Sequence, residues 1–526
     1  MTPDQLQRLF ESWAHTWMLP PSDSAKAPAG PMTSDPRFKD PVWTSTPYGH
    51  WLLQWYQAVS KTAEQIEHMG DGLPEHQKKV WEFYVQYTLD ALSPSNFLLT
   101  NPQALQKAFD TGGQSLLAGA QRMLGDMQRK ALPESSDGKA FTVGGNLATT
   151  AGAVVFQNDI FQLIHYQPLT SEVWATPLLI VPPCVNKYYA FDLNDQKSFV
   201  KYMLEQGHNV FIASWRNPHP GTPSLGWDDY VYEGVHKAIE VVCEIAAAPR
   251  LNLLSWCIGG ALSASALAVM TPAEKKRVAS STFLTTLVDY ADHGDVSVFI
   301  DSLQVCAMEP RIRAKGVMPG QDLSIAMAML HANDSIWHFW VNNYLLGEKA
   351  PPFDVLYWNS DTANVPGNLY QYYVENMYLR NKLREPGALT LRGRAVDVSN
   401  IDMPCLVVSA TEDHIVPWQT TLKTLDLLGS KCDFLLTEGG HVSGTVINHP
   451  AKSRKGHWIN GPRTTDPEAW KAGAEKQQGS WWPQWCRWVA KTSGKRVPAP
   501  DRPGSSAWPP LQPAPGSYVL EQVPQA

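Results

Sequence analysis

The chain has 526 residues, which exceeds one ordinary domain, and its 44% hydrophobic content is enough to fill a large core. A formal net charge of −7 gives no electrostatic reason to expect nucleic acid as a partner. Seven scattered cysteines, an odd number without close pairs, are typical of a reducing compartment and argue against a disulfide framework.

The sequence also argues against membrane insertion and metal binding. Its first residues lack a basic segment followed by an apolar run, and no apolar stretch approaches about 18 residues. We therefore predict a cytoplasmic protein without a transmembrane segment. His441, His449 and His457 recur every eight residues but have no HExxH or CxxC frame, so no metal site is expected.

The first predicted element is a short amphipathic helix, followed by a Pro/Ala/Ser-rich linker that runs from Pro20 to Pro36. The apolar face of this helix could bind a surface, a partner helix or the protein's own body, and the sequence leaves these three possibilities open. We assign 1–36 to this helix and linker, and 37–150 to a mostly helical domain. The apolar residues at helical spacing are Leu6, Leu9, Phe10, Trp13 and Trp17.

Short apolar runs then alternate with helical segments at residues 178–181, 210–213 and 251–254. This alternation predicts parallel strands joined by crossover helices. The third run continues into a sharp turn and a helix of small residues, with Cys257 at the apex.

The turn at Cys257 has the pattern of a nucleophile elbow. Such a turn strains the backbone of its central residue, and Ser255, Gly259 and Gly260 are small enough to let strand and helix approach closely. The N–H of Ile258 can donate to a developing oxyanion, while the helix dipole favours a thiolate. Cysteine in place of serine indicates acyl transfer through a thioester. A buried core cysteine would match the same short pattern, so the assignment depends on the residues downstream.

An acid and a histidine follow in the order that α/β-hydrolases use. Asp413 comes after the buried-strand pattern of residues 403–410. The next strand, at 432–436, leads to His441 on a glycine-flanked loop. We therefore predict a triad of Cys257, Asp413 and His441 with the histidine as base. Whether Asp413 orients His441 or helps to activate a hydroxyl stays open.

A long insertion separates the strand at 280–284 from the strand before Asp413. It exceeds a hundred residues and is rich in Trp, Tyr, Phe, Met and Leu. We predict that it forms a cap, at about 285–400, which excludes water from the thiol.

Beyond the triad, the chain resembles the polyhydroxyalkanoate (poly-3-hydroxybutyrate) synthases, and most closely their class I type. The shared motifs lie in order over nearly the whole chain. They are VPPCVNKYY at 181–189, SWRNP at 214–218, the elbow, NNYLLG at 342–347, LYWNSD at 356–361, DHIVPW at 413–418, GSWWP at 479–483 and APGSYV at 514–519.

The resemblance implies an α/β fold of the α/β-hydrolase type over 151–526, with a mostly parallel sheet flanked by helices, the inserted cap and the helical N-terminal domain. It implies an acyltransferase that polymerises (R)-3-hydroxyacyl-CoA through an acyl-enzyme on Cys257. No cofactor is expected, since coenzyme A is the leaving group. The family's strand-end loop implies the N–H of Val185 as a second oxyanion donor. Whether one thiol or two carry the growing chain stays open.

The same resemblance implies partners and a location. The growing polyester and its granule surface, phasin-type granule proteins and a second copy in a homodimer are the expected partners. The expected location is the cytoplasm, at polyester granules, and the expected monomers are short.

Three other functions compete. A thioesterase, esterase or polyester depolymerase would use the same triad with water as acceptor. A dienelactone-hydrolase-like enzyme also uses a cysteine elbow, but its chains are far shorter. A catalytically idle granule protein is the third: the intact triad argues against it, and Ser255 and His331, which depart from the family pattern, keep it open.

Overall fold

The computed structural model describes residues 35–221 and 225–522. The chain divides into two compact units. Unit 1 ends at Gly138 and also takes up Ile325–Phe353, whereas unit 2 comprises Lys139–Ser324 and the chain from Asp354 onward. Residues 325–353 lie inside the span that the sequence assigns to the cap. The predicted amphipathic helix at residues 6–17 lies outside the described residues.

Unit 1 is helical. Thr46 caps its first long helix by accepting a hydrogen bond from the N–H of Gly49, and Asn101 caps the third in the same way. A small aromatic core contains Phe38, Trp43 and Tyr56. The long helices are α1 (Pro47–His68), α2 (Glu75–Ala91), α3 (Pro102–Asp110) and α4 (Gln114–Gln128), and further helical turns occupy 333–345.

Unit 2 is built on an eleven-stranded sheet. The strands in chain order are β1 (Gly152–Gln157), β2 (Phe161–Tyr166), β3 (Leu178–Val181), β4 (Val210–Trp215), β5 (Leu251–Trp256), β6 (Val278–Leu284), β7 (Cys405–Ala410), β8 (Cys432–Thr437), β9 (Gly456–Ile459), β10 (Glu475–Gln478) and β11 (Gln512–Pro513).

The strand order is β10-β9-β8-β7-β6-β5-β3-β4-β2-β1-β11. The strands from β8 to β4 in this order run parallel, and the outer strands on both sides are antiparallel. The three apolar runs noted in the sequence lie within β3, β4 and β5, which are buried along their whole length. Continuous burial is what a parallel sheet covered on both faces requires.

Two core clusters cover this sheet. Leu179 and Leu253 belong to one cluster, while Leu178 and Leu254 belong to the other, because successive side chains of a strand point to opposite faces. The α-helices of five or more residues in unit 2 are α5 (Phe199–Glu205), α6 (Lys237–Ile245), α7 (Ile258–Val269), α8 (Ser302–Lys315), α9 (Gly320–Leu330, which ends in unit 1), α10 (Asp354–Ser360), α11 (Gly367–Tyr373), α12 (Trp418–Leu422), α13 (Pro467–Gly473) and α14 (Trp482–Ala490).

Shorter elements complete the architecture. Three two-stranded ribbons pair Glu172–Trp174 with Arg496–Pro498, Val317–Met318 with Val365–Pro366, and Thr390–Leu391 with Arg394–Ala395. In the part of the chain that the structure describes, no helix has the length and apolarity needed to cross a membrane.

Candidate active site

Cys257 is the single residue between β5 and α7. Its backbone has φ 55° and ψ −128°, a conformation that a residue with a side chain adopts only under strain. Two hydrogen bonds of the Cys257 backbone hold it in this conformation. Its N–H donates to the carbonyl of Leu284 at 3.0 Å, and its carbonyl accepts from the hydroxyl of Thr286 at 3.4 Å. The half-buried thiol is thus held at the carboxyl edge of the parallel sheet.

Two glycines allow the tight approach of α7 to the sheet. A methyl group on Gly259 would lie 2.5 Å from the carbonyl oxygen of Pro182, and one on Gly260 would lie 2.0 Å from the hydroxyl of Thr286. Ser255, where the family usually has glycine, is fully buried and donates to the carbonyl of Thr282 at 3.3 Å. Its hydroxyl is therefore satisfied by the neighbouring strand.

Asp413 and His441 meet at the same edge of the sheet. The Nδ1 atom of His441 lies 2.7 Å from Oδ2 of Asp413. The other carboxylate oxygen accepts the backbone N–H groups of Ile415 at 3.0 Å and Val416 at 2.9 Å. Because the Asp413 side chain is fully buried, these three partners fix its orientation.

The ring of His441 lies between its partners and an aromatic wall. It stacks on Trp256, with ring centroids 5.3 Å apart, and Trp256 directly precedes Cys257. Burial favours the neutral imidazole, but the Asp413 carboxylate and the Cys257 thiolate, with hydrogen bonds to both groups, raise the pKa of His441 to about 10. The arrangement therefore favours the protonated, imidazolium form of His441.

The two expected oxyanion donors lie on two neighbouring segments: Ile258 directly follows Cys257, and Val185 lies on the loop after β3. Ile258 is the first residue of α7, and the first N–H groups of a helix have no acceptor within the helix. Val185 lies in the turn that follows β3. The close contact of Gly259 with Pro182 brings the beginning of that loop to the start of α7.

Three tyrosines that the sequence analysis did not single out also belong to this region. The hydroxyls of Tyr290 and Tyr373 lie 3.2 Å apart, and the ring of Tyr378 packs edge-on against both, with centroids at 5.1 Å. Burial and the nearby Cys257 thiolate raise the pKa of all three phenols, so they remain O–H donors. All three lie within the predicted cap span, where only the general richness in aromatic residues signalled them.

The buried Cys184 differs from Cys257. Burial raises the pKa of the Cys184 thiol to about 12, which keeps it protonated and unreactive. His414, beside Asp413, accepts the N–H of Asp295 with its backbone carbonyl at 2.9 Å.

Comparison with known proteins places this chain in a family. Residues 34–203 match the family model described as the N-terminus of poly-beta-hydroxybutyrate polymerase (PhaC), and 177–444 match the α/β hydrolase fold. The second match confirms the predicted fold class.

Full-length relatives agree. The chain is 40% identical to the poly(3-hydroxyalkanoate) polymerase subunit PhaC of Cupriavidus necator, over 98% of this chain and 88% of that one. It is 36% identical to the corresponding subunit of Rhizobium meliloti, over 98% and 84% of the two chains. It is 38% identical to poly(3-hydroxyalkanoate) polymerase 2 of Ectopseudomonas oleovorans, over 94% and 88%. The predicted resemblance is thereby confirmed, and the chain belongs to the poly(3-hydroxyalkanoate) polymerase family.

Proposed function

We propose that the protein polymerises (R)-3-hydroxyacyl groups from their coenzyme A thioesters through an acyl-enzyme on Cys257, as a class I synthase. The observation that carries this proposal is a cysteine at a strained strand-to-helix turn beside a hydrogen-bonded His441–Asp413 pair. A thiolate is a strong nucleophile toward a thioester, and exchange between two thioesters is nearly thermoneutral.

The first half of the reaction acylates Cys257. The thiolate attacks the thioester carbonyl, and the N–H groups of Ile258 and Val185 stabilise the oxyanion. The carbon–sulfur bond to coenzyme A then breaks, and the leaving sulfur takes the proton held by the His441 imidazolium. Free coenzyme A leaves a neutral His441 beside the acyl-enzyme.

The second half transfers the acyl group to a hydroxyl. Acylation removes the negative charge of Cys257, which is one of the influences that raise the pKa of His441. The neutral ring therefore becomes able to accept a proton from the 3-hydroxyl of a monomer or chain end. That oxygen attacks the acyl carbonyl, an ester forms, and Cys257 leaves as a thiolate beside a restored imidazolium.

The hydrogen bonds of Asp413 support the orienting role among the two that the sequence left open. Its Oδ2 is bonded to His441 and its Oδ1 accepts two backbone N–H groups. A buried carboxylate with these three donors holds the imidazole in place and stabilises its charged form.

We also propose that the protein works at the polyester granule surface, as a homodimer and with phasin-type partners. Large apolar side chains on unit 1 support a role for that unit in surface or partner contacts. The most exposed of these are Leu99, Phe109, Leu117, Leu124 and Met127.

The decisive experiment supplies purified protein with (R)-3-hydroxybutyryl-CoA and follows free thiol together with chloroform-soluble product. We expect both to accumulate, and neither to accumulate with Cys257→Ala. Thiol release with only free 3-hydroxybutyrate would identify a thioesterase instead. Absence of thiol release, also with longer 3-hydroxyacyl-CoA substrates, would identify an idle granule protein.

A further inference from the structure

The loop that carries Val185 is fastened to the segment that ends α10. The ammonium group of Lys187 lies 2.7 Å from Oδ1 of Asp361. The hydroxyl of Tyr189 donates to Oδ2 of the same carboxylate at 2.9 Å. The indole N–H of Trp358 donates to the carbonyl of Lys187 at 2.8 Å. We call these four residues, Lys187, Tyr189, Trp358 and Asp361, the loop clamp.

Stability alone does not account for the ion pair at the centre of the clamp. The side chains of Lys187 and Asp361 are only 4% and 9% exposed. The cost of removing two charges from water offsets most of their attraction, and a well-packed apolar pair in such a place is often as stable. A buried ion pair does, however, demand one geometry, since both charges must remain together.

The geometry that the clamp imposes reaches the reacting groups by two routes. Val185 is two residues before Lys187, and a backbone bridge between Asn186 and Thr362 ties the intervening residue to the same segment. On the other side, Trp358 stacks on Trp256 with centroids 6.1 Å apart.

Trp256 continues this second route to the base. It stacks in turn on His441, at 5.3 Å, and its indole N–H is fixed by the hydroxyl of Thr285 at 2.9 Å. The same clamp residue, Trp358, therefore contacts both the Val185 loop and the aromatic wall behind His441.

We propose that the Lys187–Asp361 pair is a positioning device of the synthase: through the loop clamp it sets the Val185 N–H and the His441 ring relative to Cys257. This inference rests on the proposed function of Val185 and His441. Lys187 and Asp361 act through Val185 and His441 and not on the substrate itself, so both are positioning residues. Their removal acts on the chemical step, because a displacement of about 1 Å in an active site can cost about 100-fold in rate.

The test removes both charges at once. Lys187→Met/Asp361→Leu leaves no unpaired buried charge, and among the described residues only the Tyr189 hydroxyl loses its acceptor, so we expect it to unfold at a temperature closer to that of the wild type than a single variant does. The single variant Asp361→Leu leaves the Lys187 ammonium buried without its partner and is expected to be less stable. With (R)-3-hydroxybutyryl-CoA, kcat for thiol release by the double variant is expected to fall by about 10- to 100-fold, with KM within about twofold of the wild type.

A matched control removes a neighbouring ion pair between the same two segments. Lys197 lies ten residues beyond Lys187 along the chain, and its ammonium group is 2.6 Å from Oδ1 of Asp354. Lys197→Met/Asp354→Asn should therefore leave kcat within about twofold. A folded Lys187→Met/Asp361→Leu protein with wild-type kcat, or an equal loss in the control, would overturn the clamp.

A second readout does not depend on polymer synthesis. The rate of Cys257 alkylation by iodoacetamide reports the thiolate that His441 stabilises. We expect this rate at neutral pH to fall severalfold in the clamp double variant and to stay unchanged in the control. If wild-type protein releases no thiol, the proposed function fails, and the alkylation rates alone decide the clamp: equal rates in all three proteins would refute it.

Discussion

The protonation of His441 depends on two neighbours of opposite charge to its own. Burial favours the neutral ring, yet Asp413 and Cys257 together raise the pKa of His441 to about 10. Removing the sulfur in Cys257→Ala should lower the pKa of His441. Removing the carboxylate in the separate variant Asp413→Asn should lower it more, since Asp413 is the stronger of the two influences.

Carbon-13 NMR of labelled histidine measures the pKa of His441 in the wild type and in both variants, and His441→Gln assigns the signal. The sign is fixed by charge: each lost anion makes the imidazolium less favourable, so the ring becomes neutral at lower pH. A pKa of His441 that is unchanged in Cys257→Ala would show that the ring does not sense the sulfur.

Asp413 gives a second prediction at the residue scale. If it orients His441, as its three hydrogen bonds indicate, Asp413→Asn should slow both acylation and elongation, by up to roughly 10⁴-fold. Single-turnover release of coenzyme A measures acylation alone, whereas polymer formation measures both. Wild-type acylation combined with slow elongation would instead assign Asp413 to hydroxyl activation.

At the scale of elements, the joint between β5 and α7 is limited by space. Gly259→Ala would drive a methyl group to 2.5 Å from a backbone carbonyl, which moves only with the Val185 loop. Gly260→Ala would meet the side chain of Thr286, whose hydroxyl oxygen, methyl carbon and Cβ would lie 2.0, 2.5 and 2.7 Å from the added methyl group, so rotation of that side chain cannot relieve the clash. We therefore expect each substitution to destabilise the protein by about 2 to 3 kcal/mol.

Urea denaturation measures both changes. Adding Thr286→Ala to Gly260→Ala should recover part of the lost stability, because the nearest clashing atoms are removed. The same addition should not help Gly259→Ala. No recovery in Gly260→Ala/Thr286→Ala, or an equal recovery in Gly259→Ala/Thr286→Ala, would contradict this account of the joint.

Local pattern predicted the elements of this joint well. β3, β4 and β5 were visible as apolar runs because parallel strands are buried on both faces. The elbow was visible because its small residues, Ser255, Gly259 and Gly260, flank Cys257 closely in the sequence. The chain order of acid and histidine likewise indicated that Asp413 and His441 belong together, and they are hydrogen-bonded.

Residues joined only by tertiary structure gave no such signal. Tyr290 and Tyr373 are far apart in sequence, and only the packing of the insertion brings their hydroxyls to 3.2 Å. Lys187 and Asp361 belong to separate motifs, and nothing in the sequence reveals an ion pair between two residues 174 positions apart. Sequence patterns report periodicity along a chain, and these contacts have none.

At the scale of the whole molecule, unit 1 is assembled from two distant parts of the chain. The interface between α4 and the helical turns at 333–345 is close, because Gly119 has no side chain: a methyl group there would lie 1.9 Å from the carbonyl oxygen of Tyr344. The hydroxyl of Tyr344 donates to Asp126 on the same helix at 2.7 Å. Unit 1 therefore depends on residues more than two hundred positions beyond α4.

Gly119→Ala should separate these two parts. Because the obstructing atom belongs to the backbone of Tyr344, the clash can be relieved only by moving one helical segment, and hydrogen exchange should speed up in both 114–128 and 333–345. Gly125→Ala is the matched control on α4, since a methyl group there meets nothing within 4 Å. It should leave exchange unchanged or slower, because alanine favours helix over glycine by about 1 kcal/mol. Faster exchange confined to 114–128 in Gly119→Ala would mean that the segment 333–345 is stable without α4, and that the two parts of unit 1 fold separately.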